Sequence, residues 1–327
     1  MAVYLGSDKV GVTKELGTDR LQWKCDNMKS LQYEFLNYTG TDFSFLNGLD
    51  TSQVKTFNYM FQNCRGITDN APVIDVSSAT NLNYMFYQCQ NLTEPPKLEI
   101  GKNGISVSLE SMFDGCNKLT KFPDYDFTYV TSVSNMFRYC RSLTGEFVLP
   151  YIPLITYFGG IFQNCENLNK VRFENCSKGT NFGSVFYACT NLHTIENMDC
   201  VSATSDITSS FTNCTNLTNL YVYNIKRNIT IGSGTSYGHL LTLDSLVNTI
   251  KELWDFSGTT TTRKLTMSTP SKELIANVYV KLVEPTAEQI EADSNIIYKK
   301  NCVVCESTDE GAMTLTEYAT SKNWAIA

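Results

Sequence analysis

The sequence predicts a repeat solenoid of the α/β class, with short helices and a parallel sheet, closed by a small α+β region at its carboxyl end. Three observations predict this fold. Cysteine recurs at a nearly fixed spacing, each of these cysteines has the same apolar neighbours, and strand-like patterns follow several of them. A repeat period of about 20–30 residues is typical of solenoids, in which each unit packs only on its neighbours.

Seven cysteines form this ladder, at spacings of 25, 27, 24, 25, 24 and 25 residues. With the ladder cysteine as position zero, position −3 is always Phe, position +3 is Leu or Ile, and position −7 is always apolar. Position −4 is Met in the first four units. The ladder consists of Cys64, Cys89, Cys116, Cys140, Cys165, Cys189 and Cys214.

The two halves of each unit have different periods. Positions −7, −4, −3 and 0 share one face of a 3.6-residue period, so we expect a short helical segment there. After the cysteine, several units follow the L-x-x-L-x-L strand pattern of leucine-rich repeats. The pattern is complete at Leu168-x-x-Val171-x-Phe173 and Leu217-x-x-Leu220-x-Val222, and partial at Leu119 with Phe122 and Leu192 with Ile195.

The ladder extends towards the amino end in a weaker form. Cys25, Met28, Leu31 and Tyr33 stand at 0, +3, +6 and +8, which predicts a degenerate first unit. We interpret the ladder cysteines as small buried apolar residues. Disulfides between neighbouring coils and metal binding are the alternatives, and metal ligands would have to converge rather than stand one per coil.

The units at 126–144 and 50–64 resemble the BspA-like leucine-rich repeat. They read DFTYVTSVSNMFRYCRSLT and DTSQVKTFNYMFQNC, close to the family pattern D-T-S-x-V-T-x-M-x-x-M-F-x-x-C-x-x-L-T. The resemblance covers about residues 50–225. It departs at 101–108, where two glycines lengthen a repeat, and at 146–157, where Pro150 and Pro153 disturb the return loop.

The segment after the repeats lacks the cysteine period and has helix and strand patterns of its own. An amphipathic helix is predicted at 239–254, a polar turn at 255–262, a strand at 264–267, and a last helix capped by Thr314 or Thr316. Strands at 278–283 and 296–305, with a helical turn at 286–292, form an insertion between them. The helix beginning D-S-L, the K-x-L-x-L-like strand and the ending with Asn323 before Trp324 resemble the closing segment of phage tail proteins that carry BspA-like repeats. Asn323 replaces a glycine of that pattern and can also adopt the left-handed conformation.

Three domains are therefore expected. Residues 1–49 form an amino-terminal strand segment and capping repeat, residues 50–235 form about seven repeats, and residues 236–327 form the α+β cap. The opening at 2–11 also resembles the start of phage virion proteins of this kind.

Few residues suggest an active site. The chain has only two histidines, His193 and His239, and neither lies in a catalytic motif. Cys302 and Cys305 form a C-x-x-C without a second pair, so we interpret them as strand residues on opposite faces. Neither an enzyme activity nor a cofactor or metal is expected. A glycosidase would need only two carboxylates, and candidates near strand ends are Asp124, Asp126, Glu174 and Asp199.

Charge and hydropathy point away from nucleic acid and membranes. The formal net charge is −7 and Lys and Arg are not clustered, so we expect no nucleic-acid partner. No apolar stretch approaches membrane-spanning length, and the start lacks a signal-like segment. We therefore expect synthesis in a host cytoplasm without membrane insertion.

A binding role follows from the predicted shape, because solenoids present extended surfaces that bind partners. The surface candidates are Tyr125, Tyr129, Tyr221 and Tyr223, which could stack on sugars or pack on protein. The first hypothesis, implied by the resemblance, is a phage virion protein: a tail fibre, tail-associated adhesin or capsid fibre. Its partners would be other virion proteins and a host-surface glycan or protein receptor. The resemblance includes gut phages of the crAss-like group. A bacterial surface adhesin and a polysaccharide depolymerase are the alternatives.

Overall fold

The computed structural model describes residues 13–15, 22–24, 28–43, 46, 49–234, 236–238, 240–253, 255–283 and 301–327. The predicted fold class is confirmed: a parallel-sheet solenoid is followed by a small α+β region. All seven ladder cysteines are buried, and so are the Phe at −3 and the residues at −7 and −4 of every unit.

The solenoid carries short strands in each half. The parallel pairs are β3–β4 and the four-stranded sheet in the order β5-β6-β7-β8, while β1 and β2 pair antiparallel near the amino end. A 3₁₀ helix spans Lys102–Gly104, inside the predicted insertion. The strands are β1 Thr13–Glu15, β2 Gln22–Lys24, β3 Val107–Ser108, β4 Val130–Ser132, β5 Gly145–Leu149, β6 Leu168–Phe173, β7 Thr194–Asp199 and β8 Asn219–Tyr223.

The segment before each ladder cysteine is not the helical turn that its period predicted. In one unit, the N–H groups of Phe57, Tyr59 and Phe61 donate to carbonyls of the next coil. The N–H groups of Met60 and Gln62 donate to carbonyls three residues back within the coil, and that of Asn58 donates to the Thr56 hydroxyl. Tyr59 and Asn63 are left-handed, with φ of 58° and 62°. Because every second N–H is donated to the next coil, the i→i−4 bonds of a helix do not form. Consecutive tight turns still bring positions −7, −4, −3 and 0 inside, which is why the helical period appears in the sequence.

The core of the solenoid is a column of stacked rings. The Phe at −3 of each coil lies nearly parallel to the next, with ring centroids 5.3–6.4 Å apart and interplanar angles of 5–16°. Offset stacking of this kind adds to the gain from burying the rings. The column contains Phe35, Phe61, Phe86, Phe113, Phe137, Phe162, Phe186 and Phe211.

Each ladder cysteine also forms a hydrogen bond to the backbone of a column phenylalanine. Its thiol lies 2.9–3.1 Å from the backbone oxygen of the column Phe in the preceding coil, as Cys140 does with Phe113. The described cysteines are free thiols. Burial raises the pKa of the ladder thiols, for example that of Cys64 and of Cys214 to about 12. The ladder is therefore a set of packed, protonated thiols, as the sequence predicted.

This burial predicts a pattern of chemical modification. Only the thiolate reacts quickly with iodoacetamide, and the ladder thiols are both protonated and shielded. We expect Cys305, which is half-buried, to be alkylated before any ladder cysteine in the native chain. Peptide mapping by mass spectrometry after timed alkylation measures this, with urea-denatured chain as the fully labelled control. Fast native labelling of Cys140 or Cys165 would contradict the described packing.

The strands predicted after the ladder cysteine form in the carboxyl-terminal half of the solenoid. β6 contains all three predicted apolar positions, whereas Leu192 and Leu217 lie just before β7 and β8. Val171, Ile195 and Leu220 align in register. The coil of Leu119 and Phe122 has no strand at this place. Phe122 instead stacks on Phe147, with ring centroids 3.9 Å apart, at the edge of the four-stranded sheet.

The predicted register of the first unit is wrong. Leu31 N–H donates to Thr56 O, as Phe57 N–H does to Asn81 O, so Leu31 occupies position −7 rather than +6. Phe35 then occupies −3, and its carbonyl oxygen accepts a hydrogen bond from the thiol of Cys64. Tyr38 lies where a ladder cysteine would be. The real signal was Phe35, since every later unit has Phe at −3. Cys25 lies outside the described residues.

The carboxyl-terminal region contains a parallel sheet in the order β14-β10-β9 and an antiparallel sheet in the order β12-β11-β13. Its helix α1 packs on β8 and so closes the end of the four-stranded sheet. The elements are β9 Ile229–Gly234, α1 Leu243–Lys251, β10 Arg263–Ser268, α2 Thr269–Ile275, β11 Tyr279–Val283, β12 Asn301–Cys305, β13 Met313–Thr314, α3 Leu315–Ser321 and β14 Trp324–Ile326.

Most predicted elements of this region are confirmed. Thr242 caps α1, and Thr314 forms a capping box with Glu317 at α3, so Thr314 rather than Thr316 is the cap. Asn323 is left-handed, with φ of 63°. Strand β9, helix α2 and strands β13 and β14 were not predicted. The helical turn expected at 286–292 and the strand start at 296–300 lie outside the described residues, and the three domain boundaries stay predictions.

Candidate binding cleft on the exposed sheet

The outer face of the four-stranded sheet carries a row of charged side chains from neighbouring strands. Lys170 of β6 lies between Glu146 of β5 and Glu196 of β7, with its Nζ 3.1 Å from an oxygen of each. Arg172 is in register with Val148 and Glu196. All these side chains are at least partly exposed, because side chains of a strand alternate between the core and solvent. Exposed ion pairs stabilise little, so they mainly shape the charge of the face.

Two of the four candidate tyrosines lie together on this face. Tyr221 and Tyr223 are both half-exposed on β8, with Val222 buried between them. The Tyr221 hydroxyl donates to Asp244 of α1 at 2.9 Å, and this hydrogen bond raises the pKa of Tyr221. Partial burial raises the pKa of Tyr223. Both phenols are therefore neutral hydroxyls at physiological pH.

A polar cleft opens where β6, β7 and β8 end, at the carboxyl ends of the strands. Its volume is about 460 Å³. Tyr223 forms one wall and polar side chains from the following turns form the rest. The lining residues are Glu174, Asn175, Ser177, Asn197, Asp199, Tyr223, Asn224 and Glu252.

The stacking of the coils brings these residues together. Asn175, Asp199 and Asn224 occupy equivalent places in three successive coils, at or just after the end of each strand, and Glu174 directly precedes Asn175. Asn224 Nδ2 donates to Asp199 Oδ1 at 2.9 Å, and Asn224 N–H donates to Glu252 Oε2 at 3.3 Å. The bridge between Ile225 and Leu253 places Glu252 in the next layer. Four successive layers therefore contribute polar side chains to the cleft.

Backbone geometry directs two asparagines into this region. Asn197 and Asn224 have left-handed φ values of 59° and 53°. The register of β7 against β8 shifts between Ile195 and Met198, so Asn197 lies at an irregularity in the pairing of these two strands. Bulges of this kind re-aim side chains and are enriched near functional sites. The exposed Asn197 amide is a lining group of the cleft for this reason.

The other candidate tyrosines lie elsewhere. Tyr129 is exposed and its ring covers Gly101 and Gly104 of the inserted turn. Tyr125 is turned inward: its hydroxyl donates to Pro96 O at 2.8 Å, and burial raises its pKa. The four tyrosines are thus not one surface. Their role in binding stays a prediction, which the cleft favours for Tyr223 and the shared sheet face extends to Tyr221.

The four carboxylates considered for catalysis divide in the same way. Glu174 and Asp199 both line the cleft. Asp124 does not line it, and Asp126 accepts the Thr128 N–H in a turn, a bond that lowers its pKa. Among the described residues, no group of three His, Cys, Asp or Glu side chains could hold a metal ion. Within the same part of the chain, no helix has the length and hydropathy to cross a bilayer.

Sequence reasoning missed several surface features. Tyr33, Tyr59 and Tyr84 stack at position −5 of three coils, with ring centroids 5.0 and 4.5 Å apart. The recurring tyrosine at a fixed distance from the ladder could have revealed this column. Glu252 could not be predicted as part of the cleft, because it follows α1 in a layer that has no ladder cysteine.

Comparison with known proteins gives one match. Residues 10–99 and 107–224, more than half of the chain, match the family described as "Mycoplasma protein of unknown function, DUF285". The chain belongs to the DUF285 family. The matched ranges of this DUF285 chain include the ladder from Cys64 to Cys214 and most of the cleft, and they leave out the inserted turn at 100–106. No curated protein and no solved structure matches the chain. The family assignment supports the BspA-like repeat resemblance at the level of the repeat.

Proposed function

We propose that this DUF285 chain is a binding protein whose exposed sheet face and cleft contact the ligand. The observation that carries the proposal is the cleft itself, in which Tyr223, three asparagines and three carboxylates from four layers line one open space. Polar groups converging beside an aromatic ring are typical of ligand sites. The stacked Phe column and the inter-coil hydrogen bonds make the scaffold rigid, which reduces the entropy cost of binding.

The proposed setting is a bacteriophage particle, as a tail fibre, tail-associated protein or capsid fibre. Support comes from the resemblance of the opening segment and of the closing segment, from the helix at Leu243–Lys251 to Trp324, to phage virion proteins. Its partners would be other virion proteins and a receptor on the host surface.

Particle composition tests this setting. We expect quantitative mass spectrometry of purified phage particles from the source sample to find peptides of this chain at the copy number of a structural protein. A host membrane protein measured in the same sample is the control for contamination. Peptides confined to the bacterial envelope fraction would instead identify a cellular adhesin and contradict the virion setting.

A polysaccharide depolymerase is the second candidate, because Glu174, Asp199 and Glu252 lie in one cleft. A glycosidase needs two carboxylates about 5–9 Å apart on either side of a scissile bond. Release of new reducing ends from host surface polysaccharide by the intact chain, lost in Asp199→Asn, would favour the enzyme. Binding without release favours the binding protein.

A further inference from the structure

The cleft is elongated across the coils. Its four layers present Glu174, Asp199, Asn224 and Glu252 in turn. Neighbouring strands lie about 4.8 Å apart, so three intervals span about 14 Å. An open cleft of this length fits an extended ligand that lies across the strands.

The chemistry of the lining is that of hydrogen-bond acceptors and amides beside one aromatic ring. Asp199 receives N–H groups from Asn224 and Val201, and Glu174 receives the N–H of Tyr151 at 3.3 Å. These bonds hold the carboxylates in place, and a carboxylate has about four lone-pair sites, so acceptor capacity remains for a ligand. Among the described residues, neither lysine nor arginine lines the cleft.

An exposed tyrosine lies in the layer next to that of Glu174. Tyr151 precedes Glu174 in the stack and its side chain is 46% exposed. Along the solenoid axis Tyr151 therefore lies before the acceptor groups, and Tyr223 lies between the layers of Asp199 and Glu252. Aromatic rings offer apolar faces to the C–H groups of a sugar, while the neighbouring acceptors suit its hydroxyl groups.

We infer that the cleft binds an uncharged glycan segment, with the sugar hydroxyls donating to Asp199, Glu252 and Glu174 and one sugar ring on Tyr223. The inference rests on the proposed binding role and names its ligand class. Three carboxylates repel uronic and sialic acids, since like charges facing each other at a binding site are unfavourable. The acceptors are distributed over four layers and do not converge on one point, which suits a row of hydroxyl groups better than a single ammonium group.

Glycan binding by the full chain tests this inference. The probes are neutral oligosaccharides (maltohexaose, cellohexaose, mannohexaose and N-acetylated chitohexaose), oligogalacturonate, and deacetylated chito-oligosaccharide, each titrated by calorimetry at low and high salt. We expect at least one neutral probe to bind with little salt dependence and oligogalacturonate not to bind. Tyr223→Ala should weaken the affinity for the neutral probe about tenfold or more. Tyr151→Ala should weaken the affinity for longer probes more than for shorter ones. Tyr33→Ala, an exposed tyrosine of the distant column, is the matched control and should leave affinity unchanged.

Each other outcome counts against the inference. Binding of oligogalacturonate alone, salt-sensitive binding of the deacetylated probe alone, no binding of any probe, or neutral binding that Tyr223→Ala leaves intact would overturn it. Far-ultraviolet circular dichroism of each variant checks that it is folded. If no glycan binds but the chain still binds bacterial cells through this face, the proposed binding role stands and only the ligand class fails.

Discussion

Phe137→Ala is expected to destabilise the chain by about 3–5 kcal/mol, the range for truncating a buried aromatic side chain. Phe137 lies in the middle of the ring column, 5.9 Å from Phe113 and 6.0 Å from Phe162 between ring centroids, and its side chain is 1% exposed. Its loss leaves a cavity bounded by two coils, which cannot close because the inter-coil hydrogen bonds fix their distance. Urea denaturation followed by circular dichroism measures the effect.

Val73→Ala is the matched control for this experiment. Val73 is 71% exposed, so its truncation should change the free energy of unfolding by less than about 0.5 kcal/mol. A solenoid can unfold in parts, so the Phe137 variant should lose structure first in the coils around it, which proteolysis with peptide mapping would locate. Equal midpoints for the two variants would show that the ring column does not stabilise the fold.

Arg138→Met is expected to destabilise the chain by about 2–3 kcal/mol at neutral pH, below the range for a fully buried pair because Arg138 is partly exposed. Arg138 Nη2 lies 2.7 Å from Asp114 Oδ2, and Nε donates to the same oxygen at 2.9 Å. The Asp114 side chain is 1% exposed, and its Oδ1 receives no hydrogen bond from the described residues. Without Arg138 the buried carboxylate has no compensating charge.

The effect should depend on pH. Burial raises the pKa of Asp114, while the hydrogen bond and charge of Arg138 lower it, so the carboxyl is protonated more readily in the folded chain than in the unfolded one. Stability from this group is therefore greatest at acid pH and declines as pH rises above the ordinary value of 3.8. Arg138→Met makes this decline steeper. The difference in the free energy of unfolding between the variant and the natural chain should therefore be large at pH 7 and shrink towards about pH 4.

Arg141→Met is the control for this pair. Arg141 and Arg138 lie over the same ring, that of Tyr139, at 5.8 and 5.7 Å from its centroid. Arg141 pairs with Glu166, and both side chains are about half exposed, so its loss should cost less than about 1 kcal/mol. If the two variants show the same loss and the same pH profile, the burial of Asp114 is not the cause.

The repeat could be predicted from the sequence because burial repeats with it. Phe at −3, the apolar residue at −7 and the ladder cysteine are all buried, and the strands at 168–173 and 219–223 formed where the L-x-x-L-x-L pattern stood. The turn before the cysteine was misjudged because tight turns and a helix bury the same positions. Its left-handed residues include Tyr59, Gln88 and Ala188, so glycine did not mark them.

The candidate site was predictable only in part. Tyr221 and Tyr223 were visible as strand residues beside a buried valine, and Glu174 and Asp199 as acids at strand ends. Their convergence depends on which layers adjoin, and the layer of Glu252 is set by the α1 helix rather than by the repeat. The inward turn of Tyr125 depends on Pro96 O one coil away, which its own neighbours in the sequence do not indicate.

Binding of the full chain to host bacterial cells, measured by flow cytometry for the natural chain and for the double variant Tyr221→Ala, Tyr223→Ala, tests the central claim most directly. Tyr33→Ala serves as the control. We expect saturable binding by the natural chain, an affinity about tenfold or more weaker for the double variant, and an unchanged affinity for the control. Binding by the double variant equal to that of the natural chain, or loss in Tyr33→Ala alone, would contradict the assignment of the binding surface to the sheet face and its cleft.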